Sequence, residues 1–242
     1  MISIVWQGDH RYNVYRSGED IGCITVSDNP FHNTHRYLNL GLTQYDPSIA
    51  KDLFSRLRKE LGQPLQIMLY SKPEMCNFLT AGGFVRKRRC YELEVASSNL
   101  AVSPTPTVEL HTVHKGSVLY NTCCNLLYAY YSATHEAVSP LTATQEVFCT
   151  NLPETVVCCV EDGKPVHYAF IEPDEVGYEI AYVGTTDFSS FSCFAQTLVH
   201  ELFQKCNSLA AECDDTDPAA MQLMQLFNIS IDGSYEDRKS VV

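Results

Sequence analysis

Short apolar-rich stretches open the chain, at residues 3–6, 12–16, 21–26 and 37–43, and each predicts an extended strand. Between the second and third, Ser17-Gly18-Glu19-Asp20 reads as a turn. The pattern then changes to helical spacing over residues 47–61, with apolar side chains at Leu53, Leu57 and Leu61, Pro47 in the first turn and Gly62 as the stop. Residues 65–70 form an apolar run of strand length, and residues 73–81 a short helix. Gly82-Gly83 supplies the positive φ that closes it. Residues 85–95 predict one long strand or two shorter ones, with Arg86 and Arg88 on one face.

The remainder follows a related order. A strand is expected at 108–113, a strongly helical segment at 117–134, and a second helix at 137–149 interrupted by Pro140. Strands follow at 155–160 and 165–172 around an Asp162-Gly163 hairpin turn, then at 178–183. A helix at 192–206, a strand at 209–213 and a short helix at 218–227 complete the series, with Asn228 expected in the left-handed position that Gly83 fills earlier.

The two series are in register. Leu53, Leu57 and Leu61 precede Leu198, Leu202 and Cys206 by 145 positions, and Phe78-Leu79-Thr80 precedes Leu223-Met224-Gln225 by the same interval. A constant offset through helix, loop, strand and helix predicts a duplicated unit. The small, proline-punctuated stretch between the copies is the natural linker, giving a first unit at 1–97, a linker at 98–107 and a second unit at 108–242.

Charge divides the copies. Residues 1–100 carry 12 Lys and Arg against 10 Asp and Glu, a net of +2, whereas residues 101–242 carry 5 against 19, a net of −14. So acidic a half argues against nucleic acid, whose phosphates need a basic footprint, and suits a cationic ligand. The 11 cysteines are an odd number, lack CxxC spacing and mostly sit in apolar runs such as 156–160, as small hydrophobic residues do in a reducing compartment. No apolar run reaches the roughly 20 residues that span a bilayer, and residues 1–24 lack the apolar stretch of a signal peptide. The expected location is the cytoplasm, with no membrane partner.

The element order of the second unit resembles that of the Gcn5-related N-acetyltransferases: strand, two helices, a three-strand meander, helix, strand, helix and final strands. The first unit looks like the same mixed-sheet α/β fold without its first two helices. The close at residues 78–84 is similar to the family's helix-then-Gly-Phe ending. The resemblance implies that an acyl-coenzyme A, here acetyl-coenzyme A, lies where the fourth and fifth strands splay apart. Its diphosphate would rest on backbone amides at the next helix N-terminus, where unpaired N–H groups and the helix dipole favour an anion.

By register that loop is Ser190-Phe191-Ser192-Cys193-Phe194-Ala195 in the second unit. Only Ala195 matches the family pattern; Ser190 stands at its basic or Gln position and Cys193 at its first glycine. The resemblance assigns the coenzyme to Val183, Ser190, Ser192, Cys193, Phe194 and Ala195. The first unit has Tyr45-Asp46-Pro47 there, where Pro47 removes an amide and Asp46 sets a carboxylate in the diphosphate's place; both residues also suit a helix start.

For amine acetylation the resemblance implies a carboxylate base on the fourth strand, which Glu179 supplies, and a tyrosine acid in the last short helix. Leu79 and Met224 hold that tyrosine's position, so an acid must come from Tyr182, Tyr235 or solvent. Tyr128, Tyr131 and His135 would line the acceptor wall, where aromatic faces and negative charge favour a small amine cation. The two histidine pairs, His32/His35 and His111/His114, have no further ligands nearby in sequence, so no metal is expected. Arg86-Lys87-Arg88-Arg89 reads as a solvated strand edge or as a contact to coenzyme phosphate or to the acidic second half. The reading is an acyl-coenzyme A-dependent N-acetyltransferase acting in the second unit. Its alternative is a catalytically degenerate relative that binds a small molecule or a protein partner.

Overall fold

The computed structural model describes residues 1–101, 103, 105–175, 177–229 and 234–241. Val102 and Pro104 of the expected linker lie outside them. The chain begins with a meander of β1 (Ile2–Gly8), β2 (Arg11–Arg16), β3 (Glu19–Ser27) and β4 (Arg36–Leu42), each antiparallel to the next. The first two hairpins turn at Asp9-His10 and Ser17-Gly18, whose φ values are all positive, the twist that joins short hairpins without splaying them. Helix α1 (Pro47–Leu61) starts on Asp46, whose carboxylate accepts from the Ser48 amide, and ends on left-handed Gly62. Strand β5 (Leu65–Tyr70), helix α2 (Pro73–Ala81) and the long β6 (Phe84–Ala96) follow.

Leu53, Phe54 and Leu57 on α1 and Phe78 and Leu79 on α2 pack against Leu65, Ile67 and Leu69 of β5 in one core. At Gly82 a Cβ would fall 2.4 Å from the Phe54 ring, so only glycine lets the end of α2 sit this close to α1.

Next come β7 (His111–His114), α3 (Val118–His135), α4 (Gln145–Thr150), β8 (Thr155–Glu161), β9 (Lys164–Pro173), β10 (Gly177–Thr185), α5 (Phe191–Phe203), β11 (Ser208–Asp214) and α6 (Pro218–Met224). Their strands lie in the order β6, β11, β10, β9, β8, β7. A second core joins Phe194, Leu198 and Leu202 of α5 to Val157, Ile171, Leu209 and Ala211 of the sheet. The expected Asp162-Gly163 turn is present, with both residues at positive φ.

The last strand, β12 (Ser234–Ser240), is antiparallel to β5 and lies between β5 and β6. The compact units therefore cut across the sequence. One comprises residues 1–89, 138–142 and 234–242, the other residues 90–137 and 143–233. The division of the sequence at 98–107 falls inside the second of these.

Three local expectations change. The second helix is only α4; residues 138–142 instead join the first unit, where the Pro140 carbonyl faces His32 Nδ1 at 3.1 Å and the Thr142 amide donates to the Phe31 carbonyl. Residues 108–110 are not strand, because the chain there is tied to α5 through the Thr107 amide and Thr197 Oγ1. Asn228 is not left-handed: its amide donates to the Asn99 carbonyl and Phe227 bridges to Leu100, which holds the chain extended. Among the described residues no helix is long and apolar enough to cross a membrane.

Candidate functional site

Parallel β10 and β11 are in register from Gly177↔Ser208 to Ile180↔Ala211, and no described pair lies beyond. At Gly177 a Cβ would fall 1.8 Å from the Ser208 carbonyl oxygen, so glycine is needed where the two strands first pair. On its other side β10 stays paired with β9 to Thr185, with a bulge at Ala181 between Ile180↔Ile171 and Tyr182↔Phe170. A bulge bends one strand away from its neighbour. The stretch from Tyr182 to Thr185 thus leaves β11 while still held by β9, opening a cleft edged with backbone polar groups.

Aromatic side chains wall the cleft on the α3 side. The Tyr131 ring stacks on His135 at 3.7 Å and meets Tyr182 edge-on at 6.0 Å. Phe148 of α4 lies 5.2 Å from Tyr131 and 6.1 Å from Tyr182. Tyr128 reaches Phe148 at 5.7 Å, with its hydroxyl on the Ala143 carbonyl at 3.3 Å. Tyr131 and His135 of one helix and Tyr182 of a distant strand therefore share one cluster. His135 is buried, with Nδ1 facing the Tyr131 carbonyl at 3.1 Å and Nε2 lying 3.4 Å from Asp214 Oδ2. Its ring packs flat against that of Tyr131.

Glu179 is half-buried on the same face. Its cross-strand neighbours are Glu172 and Ala210. Burial raises its carboxyl above the usual range, and the carboxylates of Glu172, Glu212 and Asp174 raise it further. Like charges directly opposite one another destabilise a sheet, yet Glu179 faces Glu172 and Glu212 faces Glu92. Burial also pushes the Tyr182 hydroxyl up, aided by Glu212, Glu179 and Glu172, so it keeps its proton.

The loop before α5 is filled by a residue that the family pattern does not point to. Asp187 Oδ1 accepts from the Ser189 amide at 2.9 Å and Oγ at 2.7 Å, and Oδ2 accepts from Ser190 Oγ at 2.7 Å. These hydrogen bonds hold its carboxyl down at about 2. Behind the loop, buried His167 lies 2.7 Å from Thr185 Oγ1 and 3.0 Å from Ser190 Oγ. Burial lowers its pKa, so the ring is neutral near pH 7. Three of the loop's donors, the Ser189 amide and the Ser189 and Ser190 hydroxyls, are thus already turned on the chain's own carboxylate.

Of the residues assigned to the coenzyme, Val183, Phe194 and Ala195 bury their side chains in the core and can offer only backbone. Ser192 and Cys193 are exposed. The Cys193 amide is already bonded to the Ser190 carbonyl at 3.1 Å. The Asp187-x-Ser-Ser spacing, which favours side-chain-to-backbone turns, was the legible signal for this loop.

At α6, Asp217 caps the helix by accepting from the Ala219 and Ala220 amides, and Tyr130 of α3 donates to the same oxygen at 2.5 Å. Tyr130 thereby ties α3 to the helix whose expected tyrosine is Met224. Tyr235 is placed on β12 in the first unit, with its ring 6.3 Å from Tyr70. In the first unit's own loop Asp46 caps α1 and pairs with Arg16 at 2.8 Å. The basic cluster finds its partners on β12: Arg86 and Arg89 pair with Glu236, and Arg88 with Asp237.

Among solved structures, a GCN5-related N-acetyltransferase from Sphaerobacter thermophilus matches 98% of this chain and 82% of its own, with TM-score 0.54 at 9% identity. A second, from Kribbella flavida, matches 99% and 90%, with TM-score 0.52 at 13% identity. A functionally unknown conserved protein from Staphylococcus epidermidis matches 88% and 92%, with TM-score 0.54 at 10% identity. No family model matches the sequence, and no curated protein does. The chain has the fold of the GCN5-related N-acetyltransferases, a mixed α/β architecture.

Proposed function

We propose that the chain transfers an acyl group from a coenzyme A thioester to a small cationic amine in the cleft between β10 and β11. The observation that carries this reading is Glu179. Its carboxyl is raised by burial and by three neighbouring carboxylates, and it sits where a bulge and a strand splay open the sheet beside an aromatic wall. Fold likeness at this identity speaks to architecture alone, so the chemistry rests on these residues.

The thioester would supply an activated acyl carbon. The acidic row draws in an ammonium, the faces of Tyr131 and Tyr182 favour it, and Glu179 takes its proton directly or through one water. Tyr182, which keeps its proton, would donate it to a departing thiolate. The residues fit the acyl end of the donor. They do not fit its diphosphate as the loop stands, because Asp187 occupies the Ser189 and Ser190 donors.

That misfit favours a second reading, a cleft that binds a cationic small molecule without catalysis. Calorimetric titration of acetyl-coenzyme A into the wild type and into Asp187→Ala separates the two. The transfer reading expects saturable binding that tightens at least about 10-fold in Asp187→Ala, as a competing carboxylate is removed. It also expects turnover with a panel of di- and polyamines that Glu179→Gln abolishes. Heat from amines alone, with none from the coenzyme in either protein, establishes the second.

A further inference from the structure

The first unit buries a row of polar side chains that the acyl-transfer reading does not use. Tyr37 of β4 is the cross-strand partner of Gln66 on β5, and Gln66 is the partner of Lys239 on β12. Residues in register across a sheet point to one face. That face is opposite Leu65, Ile67 and Leu69, which alternate with Gln66 and pack in the core with α1 and α2. Segment 138–142 covers part of the row, with the wholly buried Ser139 beside the Tyr37 hydroxyl.

Gln66 is 0% exposed, yet neither its Oε1 nor its Nε2 has a hydrogen-bond partner among the described residues. Lys239 is 3% exposed and its Nζ has none either. A buried carboxamide and a buried ammonium left unpaired side by side are costly, and in native structures such groups signal something that satisfies them. The neighbouring acid does not do so. Asp237 attracts Lys239 through space, but Nζ has no hydrogen-bond partner, and Arg88 Nε lies 3.5 Å from Asp237 Oδ2.

Positive groups outnumber the one carboxylate here. Burial lowers the pKa of Lys239 against the pull of Asp237, Arg88 and Lys87 lower it further, and Lys239 with Lys87 helps burial push His35 down to about 4. What Gln66 and Lys239 lack is an acceptor within hydrogen-bond reach of their N–H groups. One oxygen could take the Lys239 and Gln66 N–H groups, and a hydroxyl or a shared water could serve Gln66 Oε1.

We propose that the Gln66–Lys239 pair in the first unit is a binding site for a small oxyanion, a carboxylate or phosphate group, held by the ammonium and the carboxamide. The site is independent of the β10–β11 cleft and of whether that cleft transfers acyl groups.

The test titrates the full chain with sodium phosphate and, separately, sodium acetate and sodium succinate at constant ionic strength, with chloride as reference and melting temperature as readout. The wild type is expected to show a saturable rise with one anion class, and the arm that responds identifies carboxylate or phosphate. Gln66→Leu and Lys239→Met should each shift the midpoint of that titration at least 10-fold to higher concentration. They should melt no lower than the wild type when no oxyanion is present, because each replaces an unsatisfied group. A selenate-soaked crystal supplies a second reading that needs no variant, as an anomalous peak between Gln66 and Lys239. The proposal is overturned if wild type and Gln66→Leu respond alike, if no anion exceeds chloride, or if the soaked crystal shows only water there.

Discussion

Glu179 and Asp187 are two carboxylates eight positions apart whose environments drive them in opposite directions. Burial and like charge raise the first, while hydrogen bonds from Ser189 and Ser190 lower the second to about 2. A base works only when deprotonated, so under the acyl-transfer proposal activity is lost as pH falls through the raised pKa of Glu179. Its acid limb therefore lies above the ordinary carboxylate range. Glu172→Gln removes the largest Coulombic contribution to that rise and should move the acid limb of kcat/KM to lower pH, leaving the alkaline side in place. A limb that stays where it is would assign the titration to another group. Glu179 was readable from its place on the fourth strand. Asp187 stood in a readable Asp-x-Ser-Ser turn, but a family pattern directs attention to the residues that should bind phosphate and away from a carboxylate beside them.

At the level of elements, the cleft depends on how α3 is fastened. Tyr130 donates to Asp217, the N-cap of α6, while the Ala219 amide donates to the Tyr130 hydroxyl at 3.2 Å, so one phenol joins two helices. Tyr130→Phe keeps the ring and removes the bond. By the usual worth of a hydrogen bond to a charged partner it should cost roughly 1.5–3 kcal/mol of stability in urea unfolding, with an unchanged slope. A loss within about 0.5 kcal/mol would mean that the helices are held by packing alone. Helices α1 and α5 were legible because periodicity and Pro or Gly punctuation agree with what they bury. The stretch at 137–149 was not. Its apolar residues look like one broken helix, but Pro140 and Thr142 are held by His32 and Phe31, partners about a hundred positions away in sequence. Periodicity carries no record of such a partner.

At the scale of the whole chain, the constant offset of 145 positions is readable in the sequence, but membership of the compact units is not, since strand pairing at the end of a chain leaves no periodic trace. Strand β12 follows the second copy yet lies between β5 and β6, with Tyr235↔Tyr70 through Lys239↔Gln66 in register. Its Glu236 is 3% exposed and pairs with Arg86, Arg89 and Arg238. Those charges on one buried carboxylate lower its pKa to about 2 despite the burial that opposes them. Deleting residues 234–242 removes the strand that separates β5 from β6, strands both ladder edges and leaves Arg86 and Arg89 without Glu236. Breaking a buried ion pair from one side is worth several kcal/mol, a large share of what holds a domain of this size. The first unit should therefore unfold in the truncated chain. Hydrogen exchange should show amides of β2, β3 and β5 losing protection, while β8 and β9, whose ladders lie wholly in the second unit, retain theirs. Adding the 234–242 peptide should restore protection to β5, because pairing with β12 requires proximity and register but no covalent link. Retained protection of β5 in the truncated chain would show instead that the 1–97 segment carries a sufficient core of its own.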